Sequence, residues 1–259
     1  MHDINLDAIR IGSPADVRPA ALRVQEMVRD LVDLRVAMAH NIAVRQQMLD
    51  ADGHVLATSV FGWTGHELDR WWRNPRHALH SPLALACRYE SEPFWINADG
   101  IRTQIPNPLL DSVDLTDFQR RGLTPSAIVV PVHLPFGQIG AASFQPRSME
   151  RTDLSREYEA YGDVLGVIAR TFIAGYVRTM GPPKSLPVDA TLSEREVECL
   201  RLAAIGKTDH EIGAMLSRSR ATVRFHIQNA AIKLDTVNRS QTIFKAARLG
   251  YIGTNFTEN

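Results

Sequence analysis

The chain has 259 residues, 44% of them apolar, and its 29 basic and 29 acidic side chains give a formal net charge of zero. That composition supports packed cores and argues against disorder, and the length suits one large domain or two modest ones. Two cysteines, Cys87 and Cys199, exclude a disulfide framework or a cysteine zinc site. No apolar run is long enough to span a membrane, and the start MHDINLDAIRIGSPAD lacks the basic and apolar regions of a signal peptide. A cytoplasmic protein is expected.

From the N-terminus, the pattern predicts a helix over 19–41, then strand-like segments over 42–49 and 54–61 joined by a hairpin turn at Asp50-Ala51-Asp52-Gly53. Short helices follow over 65–73 and 83–89, then the apolar segment Phe94-Trp95-Ile96-Asn97 and a helix over 115–121. Residues 127–132 and 139–144 read as two apolar strands joined through Pro135-Phe136-Gly137. A long helix over 152–178 places Leu154, Tyr158, Tyr161, Leu165, Ile168 and Phe172 at steps of three and four. Helices flanking a central antiparallel sheet make an α/β/α sandwich, so the first domain is of the α/β class. The Gly- and Pro-rich stretch GPPKSLP over 181–187 marks a linker. The expected division is a ligand-binding and dimerisation domain over 1–180, a linker over 181–190 and an all-α domain over 191–259.

Residues 192–251 read as a four-helix module. A helix over 194–205 stops at Gly206, which can take the left-handed conformation a helix end needs. A short helix over 209–216 is followed by a tight turn and by Ser219, whose hydroxyl suits an N-cap. On the next helix Val223, Ile227, Ala230 and Leu234 fall on one stripe, with Ala221, Arg224, Phe225 and Gln228 opposite. Arg and Gln can bond base edges bidentately, Phe can touch a thymine methyl, and a helix fits the major groove. This is the second helix of a helix-turn-helix. From Thr191 onward ten Lys and Arg stand against seven Asp and Glu, a surplus of three that suits phosphate contact. His226, on the flank of the packing stripe with no second ligand at helical spacing, reads as structural.

Leu192, Ser193, Arg195, Glu196, Gly206, Glu211, Ile212, Ser219, Thr222, Val223, His226, Lys233, Leu234, Val237 and Arg239 together resemble the LuxR-type helix-turn-helix. The resemblance implies base reading by Arg224, Phe225 and Gln228 and phosphate contact by Thr222, Lys233 and Arg239, with Ser219 and Arg220 completing the DNA-facing set. Gly213 stands where that family usually has Ala, and Arg218 where an aliphatic residue is usual.

Upstream, Gly122 to Val132 followed by Gly137 and Ser143-Phe144, and Ser81-Pro82 followed by Pro93-Phe94-Trp95, resemble the autoinducer-binding domain of quorum-sensing LuxR regulators. The resemblance implies a small apolar signal enclosed between the sheet and the helices on one face. The family's pocket Trp, Tyr and Asp-Pro positions fall on Leu68, Trp72 and Ser81-Pro82, a sheet Gly falls on Ala127, and Trp95 matches. The implied lining is thus Leu68, Trp72, Ser81, Trp95 and Ala127. A neutral hydroxyl in place of the charged acceptor reduces a bond of about 1.5–3 kcal/mol to about 0.5–1.5 kcal/mol. The signal is therefore expected to differ from a typical acyl-homoserine lactone.

These readings converge on a ligand-responsive transcriptional regulator that acts as a homodimer on a pseudo-palindromic double-stranded DNA operator, with RNA polymerase as a further partner if it activates. Membrane association is not expected. The alternative is a response-regulator-like or constitutive DNA-binding protein, although Asp3-Ile4-Asn5-Leu6-Asp7 does not open the alternating strand and helix pattern of a phospho-acceptor domain. The sequence holds no G-x-S-x-G, H-E-x-x-H, phosphate loop or C-x-x-C, so no catalytic residue, cofactor or metal is expected.

Overall fold

Asp33 ends the first helix. Its φ of 47° places it in the left-handed region and turns the chain from α1 (Val17–Val32) into strand β1 (Arg35–Ala39). The single helix expected over 19–41 is thus two elements. Pairing decides the matter: β1 runs antiparallel to a strand more than a hundred residues away, with Arg35 opposite Gln145 and Ala39 opposite Ala141. Such a long-range ladder overrides a local helical period. The computed structural model describes residues 5–44, 46–67, 79–181 and 191–253. The chain divides into two compact units, one over residues 1–134 and 138–181 and the other over residues 135–137 and 182–259.

The first unit is built on β1, β2 (Phe94–Asn97), β3 (Gly100–Arg102), β4 (Ser126–Leu134) and β5 (Gln138–Gln145), in the order β1-β5-β4-β2-β3. All four pairings are antiparallel. β3 was not evident in the sequence, since three residues set no period. The two strands expected over 42–49 and 54–61 reduce to one bridge between Leu49 and Val55, and residues 56–59 form the short helix α2 (Leu56–Ser59). The turn between them does form: Asp50 Oδ1 accepts from the backbone N–H groups of Asp52 and His54, and Gly53 has a φ of 83°. Two further short helices are α3 (Pro82–Ala86) and α4 (Phe118–Gly122).

The central strand β4 is buried on both faces. Ile128, Val130 and Val132 pack into the core made with α1 and with α5 (Ser155–Met180), where Leu165, Ile168 and Phe172 are fully buried. Ala127 and Val129 point the other way and join Phe94, Ile96, Leu83 and Cys87. Side chains alternate along a strand, so one strand serves two apolar layers. Helices, antiparallel sheet and a second layer containing α3 and α4 give the α/β/α arrangement expected.

The second unit is all-helical: α6 (Glu194–Ala204), α7 (Asp209–Leu216), α8 (Arg220–Lys233) and α9 (Arg239–Arg248). Local signals set each boundary. Ser193 with Glu196, and Thr208 with Glu211, form capping boxes, while Asn238 accepts from the Gln241 N–H. Gly206 has a φ of 87°, as a left-handed helix end requires.

Candidate nucleic-acid interface and ligand cavity

Ser219 starts α8, its Oγ accepting from the Thr222 N–H at 3.0 Å. Val223, Ala230 and Leu234 are completely buried and Ile227 nearly so, which presses one side of the helix onto α6 and α7 through Leu200, Cys199, Ala203 and Ile212. Ala221, Arg224, Phe225 and Gln228 are exposed on the opposite side, as is Arg220 beside the cap. Phe225 is 58% exposed, which leaves its ring free to meet a base edge. Its edge rests against half-buried His226. Thr222 is half-buried, its hydroxyl shared with Ser219 at 2.9 Å.

The turn before α8 explains Gly213. Ser217 takes a φ of 53°, and the Arg218 N–H donates to the Gly213 carbonyl at 2.8 Å. A Cβ on Gly213 would lie 2.7 Å from the Arg218 carbonyl oxygen. The backbones approach too closely there for alanine.

Lys233 and Arg239, expected to contact phosphate, are each held in an ion pair within the unit. Lys233 Nζ donates to Glu196 Oε2 at 2.9 Å, and Arg239 pairs with Asp209 while its Nη2 donates to the Lys207 carbonyl at 2.7 Å. Their charges tie the helices of the unit together. The partners lie 37 and 30 residues away, a distance over which no spacing rule in the sequence connects them.

The first unit contains a cavity of about 390 Å³. That volume falls within the roughly 300–1,000 Å³ common for small-molecule sites. It lies against the sheet side that carries Val129 and Ala141, beneath Leu83 and Cys87 of the α3 segment and Gly122 of α4. Burial pushes the Cys87 thiol up to about 12, so it lines the cavity as an apolar group rather than a nucleophile. One end is polar. Arg35 forms two hydrogen bonds to Glu67, at 2.8 and 3.1 Å, and its guanidinium stacks 3.7 Å above the Trp63 ring. Trp63 is fixed in turn by its Nε1–H, which donates to the Val36 carbonyl at 2.5 Å. The Arg35 fork outweighs the effect of burial and, with the Thr64 N–H and hydroxyl, holds the Glu67 carboxyl down at about 2.

This wall differs from the one the sequence suggested. Leu68 and Trp72 lie outside the described residues. Trp95 packs against the core of α1 and α5, because its neighbours Phe94 and Ile96 take the opposite side of β2. It is thus corrected from cavity lining to core. Ala127 is fully buried in the apolar cluster that includes Leu83, Cys87 and Val129, on the cavity side of the sheet but not among the lining residues. Ser81 is fully buried at the start of α3, and its Oγ has no hydrogen-bond partner among the described residues. The residues missed, Arg35, Trp63 and Glu67, meet only through the fold; Arg35 in particular was absorbed into the over-long first helix.

No helix among the described residues is long and apolar enough to cross a membrane. Residues 190–246 match the sequence model of the bacterial regulatory proteins of the luxR family. The HTH-type quorum sensing-dependent transcriptional regulator VjbR of Brucella ovis is 36% identical over 141 residues, covering 53% of this chain and 52% of that protein. The transcriptional activator protein VanR of Vibrio anguillarum is 34% identical over 123 residues, 48% of this chain and 50% of that one. The transcriptional activator protein LuxR of Aliivibrio fischeri is 42% identical over 71 residues, covering 27% and 28%. The chain spans about half the length of the first two of these relatives. The structure of SdiA in complex with octanoyl-rac-glycerol is similar in fold, with a TM-score of 0.50 at 18% identity over 98% of this chain and 100% of that one. Residues 190–246, in the helical C-terminal unit, therefore resemble the helix-turn-helix region of the luxR family of bacterial regulatory proteins, and the chain is similar over about half its length to quorum-sensing LuxR-type transcriptional regulators.

Proposed function

We propose that the protein is a ligand-responsive transcriptional regulator, not an enzyme, in which α8 reads bases in the major groove and the cavity of the first unit holds a small, largely apolar molecule. The observation that carries this reading is the division of α8 into a fully buried stripe and an exposed set of Arg224, Phe225 and Gln228. A single reading helix contacts few bases, so a homodimer on a two-fold operator is part of the proposal, with the first unit supplying dimerisation. RNA polymerase contact belongs to the activating case, and the cytoplasm is the compartment in which such a protein meets its operator.

The ligand is read as something other than a typical acyl-homoserine lactone. Ser81 provides no carboxylate acceptor for a lactone amide, and the one carboxylate that lines the cavity among the described residues, Glu67, is already bound by Arg35. The SdiA complex contains octanoyl-rac-glycerol, an amphiphile with an uncharged head, which is a probe of suitable chemistry. Binding to the folded state must raise stability by RT ln(1 + [L]/Kd), so thermal shift detects it.

The test selects duplexes from a random pool with the full-length protein, with and without molecules that co-purify in native mass spectrometry. Enrichment of a two-fold sequence whose affinity changes with the bound molecule is expected. Enrichment that ignores every ligand favours the constitutive reading, no enrichment removes base reading, and saturable stabilisation by submicromolar acyl-homoserine lactone overturns the ligand assignment.

A further inference from the structure

The cavity is graded from polar to apolar along the paired strands β1 and β5. Arg35 stands opposite Gln145, Ala37 opposite Ser143 and Ala39 opposite Ala141, and all six line the cavity. Over roughly 13 Å of strand, at about 3.3 Å per residue, the wall passes from a guanidinium and an amide to methyl groups. A molecule with one polar head and an apolar body matches that gradient in a single orientation.

We propose that Glu67 is a built-in counter-ion that fills the Arg35 fork, so that the cavity accepts amphiphiles with an uncharged head and rejects carboxylates with the same chain. This inference rests on the ligand reading above and specifies the chemistry of the head. Nη1 and Nη2, the two nitrogens of the end-on guanidinium fork, both already donate to Glu67, and Nη2 also reaches the Gly62 carbonyl. Glu67 is itself held from behind, its Oε2 accepting from the Thr64 N–H at 2.7 Å and the Thr64 hydroxyl at 2.9 Å. The stacked Trp63 ring blocks one face of the guanidinium, and the bond from Trp63 to the Val36 carbonyl keeps the ring in place. An incoming carboxylate must either displace Glu67 and leave it unpaired or sit beside it as a like charge. A hydroxyl, ester or amide head incurs neither cost and can still bond to Gln145 or Ser143. Among the described residues Arg147 is the other cation lining the cavity, but it is exposed, screened by water and within 3.7 Å of Asp33.

The experiment measures binding of octanoylglycerol, octanamide and octanoate to the full-length protein near neutral pH by calorimetry and thermal shift. The wild type should bind the two neutral probes about tenfold or more tighter than octanoate, the scale expected when a charge-assisted partner is already taken. Glu67→Gln should tighten octanoate by about tenfold while leaving octanoylglycerol nearly unchanged, because the fork is freed without loss of the neutral contacts. The double variant Arg35→Gln/Glu67→Gln should keep the neutral probes and show no gain for octanoate, which separates an opened fork from a loosened cavity. Equal binding of octanamide and octanoate by the wild type, or a folded Glu67→Gln protein without any gain for the acid, overturns the proposal alone. Failure of the wild type to bind any of the three probes overturns the reading of the cavity as a site for such amphiphiles and this proposal with it. The comparison of octanamide with octanoate needs no variant, so it stands even if Glu67→Gln fails to fold.

Discussion

Lys233 Nζ lies 2.9 Å from Glu196 Oε2, and the same carboxylate oxygen accepts from the Ser193 N–H at 2.7 Å. One carboxylate thus caps the first helix of the helical unit and clamps the end of α8 to it. The Glu196 side chain is 4% exposed, so removing its cation leaves a buried charge with only its cap. Lys233→Met is expected to destabilise the unit by about 1–3 kcal/mol. Hydrogen exchange of α8 amides in the full-length protein checks it, and unchanged protection would show the pair to be dispensable.

The same carboxylate sets a pH dependence. Burial alone would raise the Glu196 pKa, but the bonds from Lys233 and Ser193 outweigh it and the net shift is downward. A depressed folded pKa stabilises above the unfolded value, and the benefit is lost as pH falls through the folded one. The helical unit should therefore lose stability as pH drops below about 4.3, the usual glutamate value. Glu196→Gln should flatten that acid limb in denaturant titrations.

Arg224→Ala is expected to weaken binding to the selected operator by about 1–3 kcal/mol and to random duplex much less, the signature of a bidentate base contact. Anisotropy titrations on both duplexes decide it. Equal losses would assign Arg224 to phosphate.

Arg239→Ala tests the opposite role. With Arg239 occupied by Asp209 and the Lys207 carbonyl, its loss should lower stability while leaving the slope of log K against log salt unchanged. A slope reduced by about one charge would return Arg239 to the phosphate-binding set.

Gly213→Ala sets helix propensity against space. Alanine is worth about 1 kcal/mol over glycine within a helix. The new methyl, however, would stand 2.7 Å from the Arg218 carbonyl oxygen, a backbone atom that moves only if the turn moves. A net destabilisation of about 1–3 kcal/mol is expected. A raised melting temperature would show that the turn gives way freely.

The helix-turn-helix was legible because its determinants are local. Ser219 and Gly206 set helix ends within a few residues of themselves, and the Val223, Ile227, Ala230 and Leu234 stripe is complete within one helix. What was misread depends on chain partners far apart. Arg35 and Val36 look helical beside α1 until β5 pairs with them. Trp63 sits in a Gly-Trp-Thr-Gly turn with no period, and only its bond to Val36 and its stacking under Arg35 bring it to the cavity. Trp95 was placed by resemblance alone, and along a strand a shift of one position exchanges the two sides.

The same rule makes the two sides of the central strand separable. Along β4 the odd-numbered Ala127 and Val129 belong to the layer beside the cavity, and the even-numbered Ile128, Val130 and Val132 to the layer beneath the long helices. Adjacent residues therefore serve separate ends: substitutions at the odd-numbered set reshape the cavity side, while the even-numbered set, left untouched, keeps the long helices packed on the sheet.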